Sequence, residues 1–133
     1  MKVKNTIMII AMLTVGAGAA QHSLRMQIKG VTSTEGKVSA ALYTDQKTFL
    51  KFDKVVNSIS SKAVKGATTL IIEDIPDGKY AVAVFHDKNG NGKLDTNMLG
   101  IPKEPVAFSN AKMKTFGPPS FNECAFSITK DME

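Results

Sequence analysis

The chain has 133 residues, with 17 Lys and Arg against 12 Asp and Glu, no Trp and one Cys. That length allows one domain and no more. The lone Cys124 excludes an internal disulfide, and Arg25 as the only arginine among scattered lysines argues against nucleic acid, whose bases and phosphates favour bidentate arginine contacts.

Residues 1–20 read as a secretory signal peptide. Met1–Lys4 is a short basic start, Thr6–Val15 is an uncharged apolar run, and Gly16–Ala20 is a run of small residues. Cleavage fits after Ala17-Gly18-Ala19 or Gly18-Ala19-Ala20. The apolar run is about half of the ~20 residues that a membrane span requires, so the mature chain is expected to carry no span. No Cys lies near the cleavage site, which argues against a lipoprotein. The expected location is therefore periplasmic or secreted. Loss of Lys2 and Lys4 leaves 15 basic and 12 acidic residues, a mild +3.

The mature chain, residues 21–133, is patterned as β throughout. Leu24–Ile28 and Lys37–Tyr43 alternate apolar and polar residues with period two, as half-buried strands do. Val31–Gly36 between them reads as a turn. Asp45–Val56 mixes Phe49, Leu50, Phe52 and Val55 with lysines, and fits a short helical turn or an irregular edge. Ser58–Val64 is polar and β-capable, and Thr68–Asp74 is a β-branched strand. Ile75-Pro-Asp-Gly78 has turn chemistry. Tyr80–Phe85 is nearly all apolar, which predicts a central strand covered on both faces, with the alanines admitting a close neighbour. Gly100–Pro119 is an irregular excursion rich in Pro and Gly. Ser120–Thr129 predicts a last strand with Cys124, Phe126 and Ile128 on one face, the thiol a buried small hydrophobe. Short strands with turns between them predict an all-β, antiparallel β-sandwich.

The chemistry lies in Asp87-Lys-Asn-Gly-Asn-Gly-Lys-Leu-Asp95. On the EF-hand loop pattern, Asp87, Asn89 and Asn91 supply oxygens at positions 1, 3 and 5. Gly92 falls at the sharp turn of position 6, Lys93 offers its carbonyl at 7, and Asp95 stands at 9. Such alternation converges hard oxygens on one point, as Ca²⁺ requires. Position 12 is Met98, which cannot replace the bidentate Glu, and a strand precedes the loop, so this is not an EF-hand. Glu104, the next acid, is the expected extra carboxylate. Two loop carboxylates predict weak, structural Ca²⁺ binding, with Kd about 10⁻⁴–10⁻³ M. The competing reading is a plain turn built on Asn89-Gly90 and Asn91-Gly92. His86 is expected to be a strand-end residue and His22 to be exposed.

Catalysis finds little support. No nucleophile motif accompanies His86, and one Cys with two distant His makes no zinc site. A carboxylate pair such as Asp87 with Glu104 leaves a hydrolase as the least favoured reading. An alternative to a purely structural role is an extracytoplasmic module for a glycan or small molecule, with Phe108, Phe116 and Phe121 as its contacts. Those rings equally suit closing one end of the core.

Ile75–Asn97, followed in order by Gly100–Glu104, Phe108–Asn110 and Phe116–Phe121, resembles the signature of domain of unknown function 2141, a family of small exported bacterial proteins. Pro105-Val-Ala107 departs from the glycine and aromatic usual there. The resemblance implies a secreted or periplasmic sandwich, similar to prealbumin-like and immunoglobulin-like domains, with Pro76, Gly78 and Tyr80 forming the entry to a strand. It implies no specific activity and no named partner.

Overall fold

In a computed structural model, residues 21–133 are described, and the expected signal peptide lies outside them. The chain is an all-β sandwich of two antiparallel sheets. Strands β1 (Gln21–Val31) and β4 (Gly66–Pro76) form one sheet. The other has the order β3 (Asn57–Lys62), β2 (Lys37–Tyr43), β5 (Gly78–Asp87), β6 (Val106–Phe108). A last strand, β7 (Phe126–Ile128), pairs with the first residues of β5.

The core follows from period-two patterning. Leu24, Leu70, Ile72 and Ile75 of the first sheet pack against Val38, Leu42, Val82 and Val84 of the second. Each buried aliphatic side chain contributes about 1.5–3 kcal/mol relative to exposure. The chain crosses between the sheets at Asp77, where the Tyr80 hydroxyl donates to the Pro76 carbonyl at 2.7 Å. This bond closes the corner that Pro76, Gly78 and Tyr80 suggested. The C-terminal tail ties the two layers together, because β7 lies on β5 while Met132 pairs with Leu24.

The first half of β5 is covered on both faces, as its sequence predicts, while Ala83 and Phe85 on the outer face are half-buried. Beneath Ala81 and Ala83, on the outer face, sits a second cluster of Tyr43, Phe49, Phe121 and Cys124. Phe49 is its hub, with edge contacts to Tyr43, Phe108 and Phe121 at centroid distances of 5.4, 6.5 and 6.0 Å. Phe49 arrives on a turn closed by Asp45, whose carboxylate accepts the Thr48 N–H and hydroxyl, both at 2.9 Å. A 3-10 turn at Phe52–Lys54 follows, which resolves the Asp45–Val56 alternatives in favour of short helical turns.

Three expectations are corrected. Ser120–Thr129 is not one strand. Ser120 accepts the Glu123 N–H while the Glu123 carboxylate accepts the Ser120 N–H, a capping box that starts helix α1 (Phe121–Cys124) before β7 begins. Cys124 is fully buried, on the helix rather than the strand, and burial pushes its thiol up, with Glu123 adding to the shift. The irregular excursion contains β6, a three-residue edge strand. His22 is half-buried and bonds to Asp77, because β1 holds it opposite Ile75.

Candidate metal centre and adjoining groove

The loop begins where β5 ends. Asp87 pairs across the sheet with Lys37, and its side chain turns inward until the residue is 2% exposed. One carboxylate oxygen, Oδ2, accepts the Gly92 N–H at 2.7 Å. The other, Oδ1, is buried and has no partner among the described residues. A buried polar oxygen without a partner is costly.

Successive Asx turns wind the loop. Asn89 Oδ1 accepts the Asn91 N–H at 3.2 Å, and Asn91 Oδ1 accepts the Lys93 N–H at 2.9 Å. Gly92 has φ 77°, the left-handed conformation that the sharp turn demands. Both Asn amides then donate to the Asp95 carboxylate, from Asn89 at 2.5 Å and from Asn91 at 2.9 Å. Those bonds, from Asn91 first and then Asn89, hold the Asp95 carboxyl below the usual carboxylate range. The sequence-predicted oxygens of Asp87, Asn89, Asn91 and Asp95 therefore belong to one tightly wound loop.

Glu104 also reaches the loop, in a different role from a free ligand. It is largely buried, and its two oxygens accept the Lys88 N–H at 2.8 Å and the Asp95 N–H at 3.1 Å. It fastens the two ends of the loop together. Lys93 stays exposed, with only its backbone carbonyl available to a cation.

The residues suit a hard cation in a limited way. Among the described residues no three His, Cys, Asp or Glu side chains group into a metal site, so acids alone do not form one. The donor set must include amide and backbone oxygens, which Ca²⁺ accepts and softer metals do not favour. The Oδ1 of Asp87, without a hydrogen-bond partner among the described residues, is the one side-chain oxygen of the loop that the turn itself leaves unused.

Two supports for the loop are invisible in its own sequence. Gly36, in the β1–β2 turn, has φ 64°, and a Cβ built there would lie 2.0 Å from the Asp87 carbonyl oxygen and 2.7 Å from that of Lys88. The backbones approach so closely that only glycine fits. Beside it, buried His86 donates from Nε2 to the Glu35 carbonyl at 2.6 Å. Glycine at the end of a turn signal was the only clue to this buttress.

An open groove of about 950 Å³ runs along the outer face of the five-stranded sheet, from Asp87 and Gly92 toward Tyr43. Its floor is of small residues, including Ser39, Ala41 and Ala83, and its walls carry Phe52, Leu99 and Phe116. The three aromatics expected to form a binding cluster are not brought together. Phe121 is buried in the core cluster, Phe108 is half-buried and reaches both core and groove, and Phe116 is fully exposed at the rim.

The fold and loop define a class: a two-sheet β-sandwich bearing a wound, oxygen-rich loop beside an open apolar groove. The chain belongs to the bacterial family described as uncharacterized protein conserved in bacteria, domain of unknown function 2141, whose family model matches residues 26–133. No curated protein and no solved structure matches the chain. No helix among the described residues is long and apolar enough to cross a membrane.

Proposed function

We propose that this chain is an exported, non-catalytic sandwich protein whose Asp87–Asp95 loop binds Ca²⁺ to stiffen the mouth of the outer groove. The reading rests on the buried, unpartnered Oδ1 of Asp87, set in a loop of alternating oxygen side chains. Asp87, Asn89, Asn91, the Lys93 carbonyl and Asp95 would hold the ion, with Glu104 fixing the loop ends. Bound Ca²⁺ supplies positive charge to two carboxylates that otherwise rely on amide and backbone hydrogens. Each Asn Oδ1 keeps its Asx-turn bond and has a second lone pair for a cation, while the ion would take the Asp95 carboxylate from the two amide NH₂ groups that now hold it. Against catalysis stand the commitment of His86 Nε2 to a backbone carbonyl and the burial of the Cys124 thiol.

Thermal melts with Ca²⁺, Mg²⁺ or chelator test this. With Kd near 10⁻⁴–10⁻³ M, 10 mM Ca²⁺ should add about 1.4–2.7 kcal/mol. Asp95→Asn, which keeps the loop's shape, should shrink that rise. An unchanged melting temperature in Ca²⁺ returns the loop to a plain turn.

One observation favours a second reading as a ligand-binding module. The groove has the size of a small-molecule site, and Phe108 and Phe116 line it. Its apolar walls suit a small apolar molecule better than a glycan. A fluorescent apolar probe should bind wild type and lose affinity in Phe108→Ala.

A further inference from the structure

We propose that the rim of the groove is a docking surface for an anionic lipid bilayer, with the tips at 97–101 and 114–117 as its inserting points. Four of the nine large apolar side chains exposed among the described residues fall in these two loops, Met98, Leu99, Ile101 and Phe116, and a fifth, Met113, immediately precedes the second. They line or border one groove and so share one side of the molecule. That clustering separates them from singly scattered surface hydrophobics.

The tips are built, not collapsed. Asn97 closes the first, its backbone N–H donating to Ile101 O at 2.8 Å and its side-chain oxygen accepting the Leu99 and Ile101 N–H groups at 2.9 and 3.0 Å. The second is closed by the Lys114 N–H donating to Gly117 O at 2.8 Å. An ion pair of 2.7 Å from Lys114 to Glu123 anchors its base. From these turns Met98, Leu99 and Phe116 project outward, fully or nearly fully exposed.

Charge selects the partner. Residues 88–119 carry five lysines against Asp95 and Glu104. Both acids are committed to hydrogen bonds inside the loop. Lys88, Lys93, Lys103 and Lys112 are exposed, and among the described residues the ion pair in this region is that of Lys114. Apolar tips borne by a lysine-rich segment complement an anionic headgroup layer over hydrocarbon, where lysine stems lie along the apolar zone and ammonium groups stay at the headgroups. A second copy of the chain is disfavoured, because a two-fold contact sets this lysine-rich segment against itself. The inference goes beyond the Ca²⁺ reading and does not require it.

The absence of tryptophan allows a residue-specific test in the full chain. Phe116→Trp places one indole at the tip. Ile71→Trp places one on the outer face of the opposite sheet, at another exposed site. Each variant is mixed with vesicles of brominated phosphatidylglycerol and phosphatidylcholine, with neutral vesicles, or with buffer. Anionic vesicles should quench and blue-shift the indole at position 116 and leave the one at position 71 unchanged. Adding Lys103→Glu and Lys112→Glu should weaken this binding at least about tenfold, since each lysine near an anionic surface is worth roughly a factor of five. Quenching at both positions would overturn the docking surface in favour of unspecific anchoring, and quenching at neither would remove it outright. A concentration-dependent blue shift without vesicles would overturn it in favour of self-association.

Discussion

The outer face of the five-stranded sheet is divided into two halves. Over Ala81 it is sealed by Phe49, Phe121 and Cys124, which are delivered by segments bonded to the sheet and to each other. Gln46 accepts the Phe121 N–H at 2.7 Å, and Ser109 accepts from Val82 at 2.9 Å while donating to the Cys124 carbonyl at 2.7 Å. Over Ser39 and Ala41 the sheet stays open, walled by loops whose polar groups satisfy one another. Aromatic residues stand over both halves. What differs is whether side-chain-to-backbone bonds pull their segments down onto the sheet or wind them into self-contained turns. The sealed half contributes stability, and the open half leaves Leu99 and Phe116 exposed.

Truncation should separate the halves most clearly. Phe49→Ala removes the hub of three aromatic contacts and should cost about 3–5 kcal/mol in urea denaturation. Phe116→Ala should change stability by no more than about 0.5 kcal/mol. Similar costs at both positions would show that Phe116 packs on the protein in solution and that the division is wrong.

A finer comparison uses two glycines with nearly the same φ, 64° at Gly36 and 66° at Gly90. Nothing lies within 4 Å of a Cβ built on Gly90, so Gly90→Ala should cost only the left-handed penalty of about 1–2 kcal/mol. At Gly36 the Cβ meets the Asp87 and Lys88 carbonyls, and overpacking adds about 1–3 kcal/mol more. Gly36→Ala should also blunt any Ca²⁺-dependent rise in melting temperature. Equal costs for the two variants would remove the β1–β2 turn as the buttress of the loop.

Strands β1, β2, β4 and β5 were legible because Leu24–Ile28, Val38–Leu42 and their partners alternate against one apolar core. The winding of the loop was legible because Asn89-Gly90 and Asn91-Gly92 are local turn signals, and Asx bonds accepted by both Asn side chains close it. What stayed hidden depends on long-range contact or on competing local signals. The His86 bond to Glu35 joins positions 51 residues apart, and no local pattern encodes it. β6 has three residues, too few for a period to register. Cys124, Phe126 and Ile128 mimic a strand, and the Ser120-x-x-Glu123 box overrides that pattern for one helical turn. Phe108, Phe116 and Phe121 look alike in sequence, and only the bonds of their neighbours decide which is buried.

That box gives the smallest and most specific test of the division, because it sits at the edge of the sealed half and holds the base of an open-half tip. Ser120→Ala should cost about 1 kcal/mol by leaving the Glu123 N–H without its cap. The Glu123 carboxyl is lowered to about 2, by Lys114 first and then by the Ser120 N–H and hydroxyl. A carboxyl lower in the folded than in the unfolded chain stabilises fully above the ordinary glutamate range, and that contribution is lost as pH falls toward about 2. The gap in melting temperature between wild type and Glu123→Gln should therefore be constant near neutral pH and close in acid. Asp45 and Asp95, also held low, titrate in both proteins and cancel in the difference. A gap that persisted at low pH would mean that the Glu123 side chain acts through packing rather than charge. The tip bearing Phe116 would then be independent of the cap that seals Cys124.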